Sequence, residues 1–239
     1  MTPLLLHPYN FNGYNTTVPS NRKLVFANNE IYHILNRSIG DSDIFIGKKE
    51  LSRAVNLIDY YRFPQKIKFS SFNRLSVEAR KLYVSEYKKQ IPFVDIHAYA
   101  FMPNHFHLLL KQIKDNGIVR FASNFQNSFA KYFNKKNDRA GSLFMRPFRG
   151  KWIQNDEIFT HVSRYIHLNP VTSFIIEFDK LSSYPGTSFP IYMREFSSNL
   201  IDTEFLLKIF GSREKYKKFV ADQVNYQKSL QHIKNVTLE

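Results

Sequence analysis

Cysteine is absent from the 239 residues, which excludes disulfides and thiolate metal sites and fits a reducing cytosol. Long apolar runs are also missing. Nothing approaches the ~20 apolar residues a bilayer crossing requires. The opening MTPLLLHPYN has three leucines but neither a basic n-region nor an extended apolar core, so it does not read as a secretory signal. A cytoplasmic protein is expected. Acidic residues are scarce relative to basic ones: 20 Asp and Glu stand against 34 Lys and Arg, a formal charge of +14. No internal repeat and no low-complexity tract interrupts the chain.

Aromatic and apolar side chains are plentiful. Phe 23 and Tyr 14 contribute to a hydrophobic fraction of 43%, enough for one ample core or one domain with an appendage. The positive excess creates a field that attracts polyanions, nucleic acid being the commonest.

Residues 1–28 lack periodicity and read as an N-terminal arm. EIYHILNRS, Glu30 to Ser38, reads as a strand ending in a polar turn. KKELSRAVNLIDYYRF places Leu51, Ala54, Val55 and Ile58 at helical spacing, and SVEARKLYVSEYKKQ is a second helix after a polar, basic insertion. PFVDIHAYAFM alternates Val94, Ile96, Ala98 and Ala100 with Asp95, His97, Tyr99 and Phe101, the period of a strand. MPN turns the chain, and HFHLLLKQI returns it as an antiparallel hairpin. Phe121, Ala122, Phe125 and Phe129 share one helical face. GSLFMRPFRGKWI is a basic edge or bulged strand, interrupted by Pro147 and Gly150. NDEIFTHVSRYIHLN is a helix capped by Asn155 or Asp156, acidic in its first turn and stopped by Pro170. After a loop region from Thr172 to Pro190 come polar helical segments, among them DTEFLLKIF and SREKYKKFVADQV. The whole predicts an α+β sandwich with helices on a sheet. We divide it into the arm, a domain over 29–188, and a helical extension over 189–239 that binds DNA or packs on the core.

The motif with the most chemistry is YAFMPNHFHLLLK. Residues two apart on a strand face the same way, so His105 and His107 share a face with Leu109, while Phe106, Leu108 and Leu110 take the other. A strand that holds two imidazoles there forgoes apolar burial, which a bound cation would compensate. Imidazole pairs suit Mn, Zn, Co or Ni more than Mg. Further ligands are needed, and RYIHLNPV can supply one: Tyr165 and Asn169, four apart, lie on one helical face. An Asn carbonyl is a reasonable hard-cation ligand, and the phenol beside it would meet whatever the metal holds. Taken singly, each of these residues has an ordinary reading as packing aromatic, helix end or half-exposed polar residue. His167 points off that face; His161 lies one turn before Tyr165 and could join it.

YAFMPNHFHLLLK followed by YIHLNPV resembles the single-tyrosine HUH transposases of the IS200-like superfamily, and within them the REP-associated tyrosine transposase branch. EIYHILNRS and GSLFMRPFRGKWI are similar to that branch as well, and the likeness runs from about Ile31 to Val171. The resemblance implies a ferredoxin-like antiparallel sheet with the HUH motif on a central strand. It implies His105, His107 and Asn169 as ligands of a divalent ion, Mg or Mn, and Tyr165 as the nucleophile. The implied substrate is single-stranded DNA carrying a hairpin, cut through a 5′-phosphotyrosine and rejoined by a 3′-OH without ATP. A homodimer is compatible with the resemblance. Arg37, Arg146, Arg149 and Lys151 are candidates for backbone contacts and Trp152 for base stacking. The competing reading is a domesticated hairpin-binding protein that no longer cuts. A water-using metal phosphohydrolase is disfavoured because the carboxylate cluster such sites use is missing.

Overall fold

The computed structural model describes residues 24–195, 198–225 and 228; most of the N-terminal arm and the end of the C-terminal extension lie outside them. Four strands form one antiparallel sheet: β1 (Ile31–Arg37), β2 (Val94–Met102), β3 (His105–Gln112) and β4 (Arg149–Ile153), in the order β2-β3-β1-β4. Helices α1 (Lys48–Tyr61), α2 (Phe69–Phe72) and α3 (Val77–Tyr87) separate β1 from β2, and α4 (Gly117–Lys136) separates β3 from β4. This β-α-β-β-α-β succession, with β1 and β3 central, is the ferredoxin-like arrangement that the family resemblance implies. Beyond it lie α5 (Asp156–Thr172), α6 (Phe189–Tyr192), α7 (Glu204–Phe210) and α8 (Arg213–Ala221).

The two sheet faces are built differently. On the first, Phe106 meets Phe125 of α4 edge-on at 5.2 Å, and Phe45, Phe101, Phe129 and Phe144 complete an aromatic layer. Phe121, Ala122, Phe125 and Phe129 are all fully buried, as their helical spacing requires. Each such ring contributes ~1.5–3 kcal/mol relative to exposure. On the second face α5 lies across β2 and β3. Ala98 and Ala100 of β2 present only methyl groups there, which lets the helix approach closely, opposite Leu109 and His107 of β3.

Two local expectations are corrected. The period-two pattern of PFVDIHAYAFM breaks at His97: Ile96 stands opposite Leu110 but Ala98 opposite Leu109, so a bulge moves Ala98 and Ala100 to the face away from Ile96. Pro170 does not stop its helix, because α5 continues to Thr172. Proline so near the end removes a single intrahelical bond, and its own carbonyl accepts from Ile175 N at 2.9 Å and Ile176 N at 3.2 Å. The Asn155 cap holds as expected, its Oδ1 accepting from Ile158 N at 2.8 Å. The basic strand is shorter than GSLFMRPFRGKWI, since Phe144 makes only an isolated bridge to Ser38.

The outer edge of β2 is covered: Phe101 N donates to Gly186 O and Ser188 N to Tyr99 O, at 2.7 and 3.0 Å. At β4, Gly150 lacks the Cβ that would press on Ile34, Leu24 and Phe26 at 3.1–3.2 Å. Phe26 can therefore pack edge-on against Tyr32 at 4.9 Å, fastening the last residues of the arm to the sheet. Phe189, Tyr192, Leu206, Tyr216 and Val220 belong to the same hydrophobic core as the strands. Among the described residues, no helix is long and apolar enough to cross a membrane.

Candidate functional site

The register of β1 against β3 sets out the site. Arg37 lies opposite His105, Leu35 opposite His107 and His33 opposite Leu109. Alternation turns His33, His105 and His107 to the face covered by α5. His105 and His107 have ring centroids 5.0 Å apart. The Tyr165 ring, half-buried on α5, stands edge-on to His107 at 5.5 Å and to His33 at 6.2 Å. Two residues far apart in sequence from Tyr165 thus meet it through strand pairing and helix docking.

Each imidazole of the HxH pair is held through Nδ1. His105 Nδ1 is 2.6 Å from Asn104 Oδ1 in the hairpin turn, and His107 Nδ1 is 2.9 Å from His33 Nε2. An amide oxygen only accepts, so His105 carries a proton on Nδ1 and turns Nε2 away from the turn. Burial, then the nearby His33 and His105, holds His107 well below its usual pKa. Burial, then Lys151, lowers His33 from 6.5 to about 4. Both rings are therefore neutral at physiological pH, the state in which imidazole ligates a metal.

These residues fit a divalent cation in the chemistry of their donors: two imidazoles oriented from behind, as ligating histidines commonly are. Among the described residues no group of three or more His, Cys, Asp or Glu could hold a metal ion, so any further donor among them must be of another kind. Asn169 is buried, and its Nδ2 donates to the Tyr165 carbonyl at 3.0 Å, which leaves Oδ1 as the atom it could offer.

The other candidates divide between the faces. Arg149 and Lys151 of β4 lie opposite Leu35 and His33, on the Tyr165 side of the sheet. Arg37 sits at the end of β1, paired with Asp41 at 3.3 Å and exposed. Arg146 is exposed just before β4. Trp152 points to the opposite face from Tyr165, 44% exposed, its Nε1 donating to Glu30 at 2.7 Å. His161 does not join the site: Arg164 donates to its Nδ1 at 2.7 Å and its ring faces Phe219. His167 is turned away, bonded to Tyr216 and Ser188.

Sequence reasoning missed His33 and the orienting role of Asn104. The signal for His33 was present, since a histidine alternating with Leu35 on an apolar strand raises the same question as His105 and His107. Asn104 read simply as a turn residue.

No family model matches this sequence. No curated protein matches it either. Among solved structures, the chain is similar to that of a REP-associated tyrosine transposase bound to a REP hairpin. The TM-score is 0.50 at 13% identity, over 77% of this chain and 95% of the other. At that identity the likeness is one of fold: this chain shares the α+β architecture of that transposase, a four-stranded antiparallel sheet with helices on it.

Proposed function

We propose that this chain is a single-tyrosine nuclease and strand transferase acting on single-stranded DNA next to a hairpin, with a divalent metal, Mg or Mn, held by His105, His107 and Asn169. The observation that carries the reading is the Tyr165 ring standing 5.5 Å from His107 on the strand that also bears His105. A phenol beside an oriented imidazole pair is an arrangement suited to phosphoryl transfer. The shared fold supports the same reading, the solved relative being a tyrosine transposase bound to a hairpin.

Tyr165 Oη gives up its proton to solvent and attacks the scissile phosphorus, an O–P bond forms, and the bond from phosphorus to the 3′ oxygen, which is protonated from solvent, breaks. The products are a 5′-phosphotyrosine and a 3′ oxygen that takes a proton to become a hydroxyl. A bound divalent ion supplies charge neutralisation on the phosphoryl oxygens. The protein's own part is positional. Helix α5 presents the phenol, the sheet holds the imidazoles, and the close packing between them fixes attacking group and phosphate in line. Because the ester retains its energy, a 3′-OH can attack it and rejoin strands.

Lys151 and Arg149 on the Tyr165 side, with Arg37 at the end of β1 and Arg146 just before β4, are the contacts we assign to the DNA backbone. Trp152 can stack only on bases that wrap round the β4 edge. The domain boundaries at 28 and 188 and a cytoplasmic location belong to the same reading.

The test is a covalent-adduct assay. Protein and labelled single-stranded hairpin DNA are mixed with Mn or Mg and run under denaturing conditions. A metal-dependent adduct that is lost in Tyr165→Phe supports the nuclease and its nucleophile together. Tight binding without an adduct, with either metal and either strand, would instead leave a hairpin-binding protein that does not cut.

A further inference from the structure

His33 takes no part in the chemistry just proposed, yet it is built into the site. Its side chain is 2% exposed. Its Nε2 lies 2.9 Å from His107 Nδ1, with the two rings stacked at 5.1 Å. We infer that His33 is a positioning residue: it accepts a hydrogen bond from His107 Nδ1–H and so fixes the tautomer whose Nε2 lone pair can ligate a divalent cation. The inference rests on the metal-assisted reading above.

A neutral imidazole has one donor and one acceptor nitrogen. Two rings meeting nitrogen to nitrogen must take opposite roles. If His33 donated, the His107 proton would sit on Nε2, and the ring could not bind a cation through that atom. If His107 donates, Nε2 keeps its lone pair. The far nitrogen of His33, Nδ1, is buried with no hydrogen-bond partner among the described residues. That orphan does not choose between the two roles, since Nδ1 is unpaired in both. It does make His33 a poor choice for a purely structural core position, because an unpaired buried polar group destabilises where an apolar side chain would not.

The pairing also matches what the hairpin turn does for the neighbouring ring. Asn104 engages His105 Nδ1 at 2.6 Å, so both imidazoles of the HxH pair have an orienting partner behind them. One comes from the turn and the other from the adjacent strand, in diagonal register across the β1–β3 ladder. Such partners commonly set ligand geometry and basicity.

The test uses the whole chain, with histidines labelled with nitrogen-15. Long-range proton–nitrogen spectra report the tautomer of His107, and calorimetric titration with Mn²⁺ reports affinity. In the wild type, His107 is expected to carry its proton on Nδ1. His33→Leu, which removes the acceptor, should mix the tautomers and weaken Mn²⁺ binding by ~10–100-fold. His33→Gln, whose Oε1 can accept, should recover most of that loss. The wild-type tautomer needs no variant, so a folding failure in His33→Leu leaves the inference testable. A wild-type His107 protonated on Nε2 overturns it, and so does unchanged Mn²⁺ affinity in a folded His33→Leu. A wild type that binds no Mn²⁺ overturns the metal-assisted reading and this inference with it, and it does so before any His33 variant is compared.

Discussion

His167 Nδ1 and the Tyr216 hydroxyl lie 2.6 Å apart, both side chains fully buried, and so tie α5 to α8 behind the helix that carries Tyr165. On its other side His167 Nε2 meets Ser188 Oγ at 2.8 Å, beside the segment covering the β2 edge. Burial lowers the pKa of this imidazole from 6.5 to about 3. The unfolded chain therefore binds a proton at pH values where the fold does not. The contribution is complete above ~6.5 and is lost as pH falls toward 3, reaching roughly 2 kcal/mol by pH 5. Urea denaturation at pH 7 and pH 5 should show His167→Gln losing less stability on acidification than the wild type, by about that amount. Equal losses would mean that the imidazole does not titrate between the two states.

Metal binding should register as stability. Mn²⁺ at a hundredfold excess over its dissociation constant raises unfolding free energy by about 2.7 kcal/mol. A thermal melt with and without Mn²⁺ should show that gain in the wild type and none in His105→Ala or His107→Ala. EDTA should reverse it. Asn169→Ala should reduce the shift; if it does not, the amide of Asn169 is not the third donor.

Lys151 and Trp152 are sequence neighbours on opposite sheet faces, which makes them a paired test of where DNA lies. Lys151→Ala should weaken binding of a single-stranded hairpin and lower the salt slope by about 1. Trp152→Ala should leave the salt slope and adduct formation unchanged. An affinity loss of ~1–3 kcal/mol in Trp152→Ala would place a base against the far side of the β4 edge.

Gly117 opens α4 directly against the chain before β2. A Cβ there would lie 2.2 Å from the Phe93 carbonyl oxygen, which already accepts from Ile113 N at 3.0 Å and Lys114 N at 3.3 Å. Backbone would have to move, so Gly117→Ala should destabilise the protein by ~1–3 kcal/mol, read as a lower urea midpoint.

Much of the fold was legible because its signals are local. The apolar spacing through Phe121, Phe125 and Phe129 gives α4 whatever lies around it. Asn155 with the acids after it starts α5 by satisfying that helix's first amides. The bulge at His97 was not legible: register is decided by the partner strand, and PFVDIHAYAFM alternates evenly by itself. Nor was the passage of α5 beyond Pro170, which the bond from Ser173 N to Asn169 O at 3.0 Å closes.

The site divides along the same line. Sequence by itself determined that His105 and His107 share a strand face and that Tyr165 and Asn169 share a helical one, since side-chain direction follows from backbone period. Only tertiary structure decided that these two faces meet, that Lys151 and Trp152 part company across the sheet, and that His33 stands behind His107. Those relations are set by strand register and helix docking, and contacts between distant segments leave no periodic mark in either segment.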